Sequence, residues 1–289
     1  MLSVISPAKR LNLKDWDRDM TGLTTPDFPD DATRLAGIAG KLDTSEMEKL
    51  MHISEKQAGQ VKDYYSVFAF PHTPDNAKPA CWMFSGDTYV GLDAETLSAE
   101  DLDYAQDHLV ILNGLYGKLR PLDLIRPHRL DMGTRLKNPK GKNLYEYWDQ
   151  HLSQAIIDQA KSQKTKTVVC LASVEYFKAA REDELKAAGL RVITPNFKEI
   201  RDNGEIKTMS LFVKRARGMM ARWMVQNKIT NPEQLKTFNE GGYVFQPGAS
   251  EGDEWVFARP QPPKKTKPKK AKLEGQSPRL RKYRDGAAA

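Results

Sequence analysis

Ser98-Ala-Glu-Asp-Leu-Asp-Tyr-Ala-Gln-Asp-His-Leu-Val-Ile-Leu112 carries both periodicities on which the fold rests. Ser98 followed three residues later by Asp101 forms a capping box, so a helix starts here and runs to about His108. Leu109 to Leu112 is a short, uninterrupted apolar run of the kind found in a buried strand. The acids Glu100, Asp101, Asp103 and Asp107 belong to the helix, where carboxylates in the first turn offset its dipole, and are not read as a metal cluster. A helix handing over directly to a buried strand marks a domain that mixes both element types.

Working outward, Leu2 to Ile5, Ala80 to Phe84 and Thr167 to Ala172 read as strands. Ala32 to Leu42 reads as a helix, and Ser173 as the cap of another beginning near Val174. Asn143 to about Lys161 places Leu144, Tyr147, Trp148, Leu152, Ile156 and Ile157 at helical spacing, which predicts one core helix. Asp202-Asn203-Gly204 predicts a tight hairpin turn between two strands. Helix returns from Lys214 to about Lys228, followed by a short helix after Thr230-Asn231-Pro232-Glu233. The alternation is irregular, neither Rossmann-like nor barrel-like, and the expected class is a mixed single-domain α+β fold over residues 1–259.

Residues 260–289 differ in kind. They carry ten Lys or Arg and two acids with almost no large apolar residue, so this Lys/Pro-rich stretch is expected to be a disordered basic tail. The whole chain has a net charge of +7, yet residues 1–259 hold 35 bases against 36 acids. The charge therefore resides in the tail, which suits either a nucleic-acid-binding arm or a solubilising extension. The start of the chain lacks the features of a secretory signal, and no apolar run approaches the roughly 20 residues of a membrane span. A cytoplasmic protein without membrane attachment is expected. Cys81 and Cys170 each sit in an apolar run and read as buried structural thiols. No zinc spacing, nucleotide-binding loop or nucleophile elbow occurs, so neither metal nor cofactor is expected.

Three segments concentrate the candidate binding residues. Ser45 to Ala58 contains two apparent capping boxes, Ser45 to Glu48 and Ser54 to Gln57, so two helices meet at Met51-His52-Ile53. Leu50, Ile53 and Ala58 fall on the apolar positions of a helix-hairpin-helix, while His52 and Ser54 replace its glycines. His52, Ser54 and Lys56 are the candidate phosphate contacts there, and an ordinary helical hairpin is the competing reading. Lys118 to Lys142 holds eight bases and two acids, with Lys118, Arg120, Arg126, Arg129 and Arg135 as candidate DNA contacts. A basic loop pairing with the acidic helix at 100–107 is the alternative. Lys214, Arg215, Arg217 and Arg222 form the polar face of a helix whose Met219, Met220, Trp223 and Met224 face the core. Lys9, Asp87 and Lys178 are candidate polar groups of a cleft, with turn or capping roles as the alternative for Lys9 and Asp87.

Several segments together resemble the bacterial YaaA peroxide-stress-resistance proteins: Ile5-Ser-Pro-Ala-Lys9, Gly86-Asp-Thr-Tyr-Val-Gly-Leu92, Gly114-Leu-Tyr-Gly-Lys-Leu-Arg-Pro-Leu-Asp-Leu124, Arg129-Leu-Asp-Met-Gly133, Leu171-Ala-Ser-Val-Glu-Tyr-Phe-Lys178, Ala216-Arg-Gly-Met219 and Gly242-Tyr243. His128 stands where that family tends to have tyrosine. The resemblance implies a cytoplasmic protein of the hydrogen-peroxide response that binds double-stranded or branched DNA and takes part in recombinational repair. It implies a mixed α/β fold with a basic cleft and a helix-hairpin-helix, here at residues 45–66, and it assigns no catalytic residue. Two alternatives stand beside DNA binding. One is an enzyme acting on nucleic acid or a phosphorylated metabolite, with Lys9, Asp87, Arg120 and Lys178 in one pocket; the other is an iron-limiting stress protein.

Overall fold

The structure is a computed structural model, described for residues 1–16 and 21–262. All of the basic tail beyond residue 262 lies outside the described residues. The main sheet has eight strands: β1 (Leu2–Ile5), β2 (Leu109–Asn113), β3 (Gly117–Leu119), β4 (Thr167–Leu171), β5 (Arg191–Ile200), β6 (Ile206–Lys207), β7 (Val244–Phe245) and β8 (Glu254–Pro260). Their order is β7-β8-β5-β4-β1-β2-β3, with β6 paired to β5. Strand β8 runs through Pro260, and the Gln261 N–H donates to the Ile200 carbonyl.

The architecture is a mixed α/β one whose centre is parallel. Strands β2, β1, β4, β5 and β8 run parallel to one another, while β3, β6 and β7 are antiparallel additions. Every residue of β1, β2 and β4 is buried, as expected of short apolar runs covered on both faces. In order of appearance, the five parallel strands lie second, first, third, fourth, fifth. That is a doubly wound order whose reversal falls between β1 and β4. Sequence reading expected no such order, because residues 6–108 separate the first two parallel strands and periodicity does not say which strands neighbour each other.

The helices follow local signals with some corrections. Helix α1 (Pro29–Gly40) begins with proline and Asp30 and Asp31 in its first turn. Helices α2 (Thr44–Met51) and α3 (Glu55–Ser66) meet at His52, whose φ of 52° is the left-handed conformation that ends a helix. The second capping box, Ser54 with Gln57, is present; the first uses Asp43 and Glu46 instead of Ser45 and Glu48. Ala80–Met83 forms one helical turn instead of a strand, because the N–H groups of Ala80 and Cys81 donate to the carbonyls of Asp123 and Pro121. Helix α4 spans Asp87–Leu92, and α5 (Ala99–His108) carries the expected Ser98–Asp101 box and leads straight into β2.

The single helix expected over 143–161 is broken at Asp149 (φ 38°) into α6 (Leu144–Trp148) and α7 (Gln150–Ser162). Asp149 there pairs with Arg181. Ser173 precedes α8 (Val174–Phe177), but its hydroxyl makes no cap; its backbone N–H instead donates to the Ser6 hydroxyl at 2.8 Å. The hairpin at 202–204 joins β5 and β6, with Gly204 at φ 81°. Helix α9 spans Ser210–Gln226, and Asn231 caps a 3-10 helix at Pro232–Thr237.

Candidate functional site

The carboxyl ends of β1 and β4 open into a cleft of about 410 Å³ at the place where the strand order reverses. Strands on either side of such a point diverge to different connections and leave a crevice, which is where open α/β sheets hold their ligands. Residues 6–10 follow β1 along one wall, and Ser173, Glu175 and Tyr176 follow β4 along the next. Ser85 to Thr88, at the start of α4, and Lys214 and Arg217 of α9 complete it.

Two glycines bring these last two walls together. A Cβ placed on Gly218 would lie 1.8 Å from the Thr88 carbonyl oxygen, and one on Gly91 would lie 2.1 Å from that of Arg215. Helices α4 and α9 therefore touch backbone to backbone, which only glycine allows. The contact sets Asp87 and Thr88 beside Lys214 and Arg217 in the lining of the cleft. The floor is fixed by hydrogen bonds: the Ser6 hydroxyl contacts that of Ser173 at 3.3 Å, and the Tyr89 hydroxyl donates to the Ser6 carbonyl at 3.2 Å.

The cleft has a cationic bias, with Lys9, Arg10, Lys214 and Arg217 facing Asp87 and Glu175. Part of this charge is already engaged. Lys9 pairs with Asp131 at 2.9 Å, and Glu175 accepts the Gly133 N–H at 2.9 Å. Arg217 differs: its Nε is buried without a hydrogen-bond partner, and no carboxylate of the described residues lies within ion-pair distance. Burial lowers its proton affinity below that of a free guanidinium.

Beside the cleft lies a small recess lined by Lys9, Arg129, Asp131, Asn113, His128 and Tyr176. His128 Nδ1 donates to the Arg126 carbonyl at 2.8 Å, and its Nε2 accepts from the Asn113 amide at 2.9 Å. Burial holds this imidazole neutral, with its pKa lowered to about 4.

The sequence-predicted residues distribute as follows. Lys9, Asp87, Lys214 and Arg217 share the cleft, and Arg129 lines the recess. Arg215 lies exposed on α9 next to them, and Arg135 is exposed on the basic loop. Arg126 lines a different depression with Lys14, Tyr64 and Lys78. Lys118 is buried with its ammonium 2.6 Å from Asp27, and Arg120 is tied through backbone and guanidinium to the fully buried Asp123. Arg222 donates to the carbonyls of Leu92 and Asp93 and so closes the end of α4. Lys178 lies 4.9 Å over the Tyr145 ring and is not part of the cleft lining. His52, Ser54 and Lys56 are exposed at the α2–α3 junction, where the Ser54 hydroxyl and the Gln57 side chain already satisfy two of the helix-start N–H groups.

Sequence reading missed Arg10, Ser6, Ser85, Thr88, Ser173, Glu175 and Tyr176 as site residues. The available signal was positional: Ser6 and Ser173 each follow an apolar strand almost immediately. Both cysteines are buried, and burial pushes the Cys170 thiol up to about 12, which suits a structural thiol. No group of three or more metal-ligating side chains occurs among the described residues. None of their helices is long and apolar enough to cross a membrane.

Residues 1–249 match the family described as peroxide stress protein YaaA. A UPF0246 protein of Jannaschia sp. is 48% identical over 259 residues, covering 90% of this chain and 97% of its own. Those of Magnetococcus marinus and Neisseria gonorrhoeae are 46% and 44% identical, each over 90% of this chain and 99% and 98% of their own. The walls of the cleft and the expected family segments coincide at residues 5–9, 86–92, 171–178 and 216–219, and the chain belongs to the peroxide stress protein YaaA family.

Proposed function

We propose that this protein binds double-stranded or branched DNA in the cytoplasm and protects it during peroxide stress, through contacts to phosphate more than to bases. The observation that carries the reading is convergence: Lys9 and Arg10 after β1 meet Lys214 and Arg217 of α9 at one cleft, with Arg215 exposed beside it. Clustered cations of this kind release counterions from DNA, which makes binding strong at low salt and indifferent to sequence. The α2–α3 hairpin acts as a second, weaker contact as a helix-hairpin-helix does. Its capping box leaves Lys56 as the main attraction for phosphate. The family name supports the stress role.

The test is anisotropy titration of unrelated duplexes and a four-way junction at two salt concentrations. Comparable affinities that fall steeply with salt support the reading; absence of binding removes it. The enzyme alternative keeps Lys9 and Asp87 in one cleft but loses Arg120 and Lys178, which lie elsewhere.

A further inference from the structure

We propose that the cleft between β1 and β4 is a binding site for a phosphate monoester, anchored by Arg217, with a volume suited to a mononucleotide or a terminal nucleotide. The assignment rests on the same cleft as the DNA reading but fails independently of it. Three observations on unrelated parts of the chain meet here. The strand order reverses at this point, which is where doubly wound sheets bind phosphorylated ligands. The cleft's volume of about 410 Å³ lies within the range of small-ligand sites. Arg217 is a largely buried cation with an orphaned Nε and no counter-ion among the described residues.

The third point weighs most. A guanidinium taken from water without an anion is costly, and native proteins pair such charges. Lys118 and Arg120 are each held against a carboxylate, whereas Arg129, whose Nε is unpartnered like that of Arg217, lines the recess beside this cleft. Arg217 instead lines the cleft with Lys214 of the same helix and with Lys9 and Arg10 after β1, and the hydroxyl-bearing Ser85 and Thr88 lie on the adjoining wall. A planar fork of N–H donors suits phosphate oxygens, and a phosphate monoester carries about −1.5 to −2 at neutral pH. With Lys9 held by Asp131, the bases Arg10, Lys214 and Arg217 still outnumber the acids Asp87 and Glu175, so the lining stays net positive. A phosphodiester carries a single negative charge and has only two unsubstituted oxygens to offer a guanidinium fork, where a monoester has three.

The experiment is isothermal titration of the full chain with 5′-deoxyadenosine monophosphate, deoxyadenosine and inorganic phosphate, repeated on Arg217→Met. The parent is expected to bind the monophosphate and phosphate but not the nucleoside. Arg217→Met is expected to bind at least tenfold more weakly while melting no lower than the unliganded parent, because it removes an unpaired buried charge. A parent that binds neither anion, or an Arg217→Met chain that binds them equally, overturns the proposal. Should Arg217→Met not fold, Lys214→Met on the exposed rim gives the same reading, with unchanged affinity counting against the site. Duplexes ending in 5′-phosphate or 5′-hydroxyl identify the source. Preference for the phosphorylated end assigns the site to DNA termini, and equal binding assigns it to a free phosphorylated metabolite. Duplex binding that persists when both anions fail leaves the DNA reading standing and this one refuted.

Discussion

Gly218 of α9 packs directly on the carbonyl of Thr88 in α4, with no room for even a methyl group between them. Thr88 and Arg217 both line the cleft, so this contact fixes the distance between two of its walls. Gly218→Ala places Cβ 1.8 Å from a backbone oxygen, a clash that no rotamer relieves. The helices must separate, at a cost of about 3 kcal/mol or more, which lowers the melting temperature by roughly 5–10 °C. Thermal unfolding checks this, and an unchanged melting temperature contradicts the packing.

Exposed and tied bases separate binding from folding. Lys214→Glu and Arg215→Glu remove exposed charges on α9. Each is expected to weaken DNA binding across unrelated sequences and to reduce the magnitude of the salt slope by about 1, with little change in stability. Arg120→Glu sets a second carboxylate beside the fully buried Asp123 and is expected to destabilise the fold instead, by about 3 kcal/mol. Paired denaturation and binding curves distinguish the two classes.

Acid sensitivity follows from the buried histidines. Burial lowers His128 to about 4; for His72, burial and then nearby Arg126 do the same. An unfolded histidine takes up its proton near 6.5, so between the two values the unfolded chain binds more protons and stability falls as the pH drops. Asp123, raised to about 6 chiefly by burial, acts in the opposite sense between its unfolded 3.8 and that value. His128→Gln removes one histidine from the balance. Its unfolding free energy is expected to fall less steeply between pH 6 and 4.5, by up to about 1.4 kcal/mol per pH unit. Urea melts at stepped pH values measure both slopes, and identical slopes contradict the assignment.

Ser6 ties the ends of β1 and β4 together. Ser6→Ala leaves the Ser173 N–H without its acceptor, at a cost of about 1–3 kcal/mol. It is expected to increase hydrogen exchange at Ser173 and the residues after it, and unchanged protection there refutes the tie.

Local signals in the sequence were good guides wherever one interaction decides the outcome. The Ser98–Asp101 box, the junction of α2 and α3 at His52 and the turn at Gly204 are set by neighbours within a few residues. Ala80–Met83 was misread because a short apolar run has no period, and its N–H groups are claimed by carbonyls at Pro121 and Asp123. The break at Asp149 was hidden because apolar spacing continues across it. The cleft was partly legible: Lys9, Asp87, Lys214 and Arg217 stood out by type, but Ser6, Ser173 and Arg10 gain meaning only when β1 and β4 lie side by side. Charge counting could not separate Lys214, which is exposed, from Lys118, which is buried against Asp27.

The most direct measurement is the anisotropy of a labelled duplex titrated at two salt concentrations with the full chain, with a chain ending at Pro262 and with that shorter chain carrying Lys214→Glu and Arg215→Glu. The account predicts steeply salt-dependent binding by the first two and a marked loss in the third. Binding that disappears with the tail, or that survives both substitutions unchanged, contradicts it.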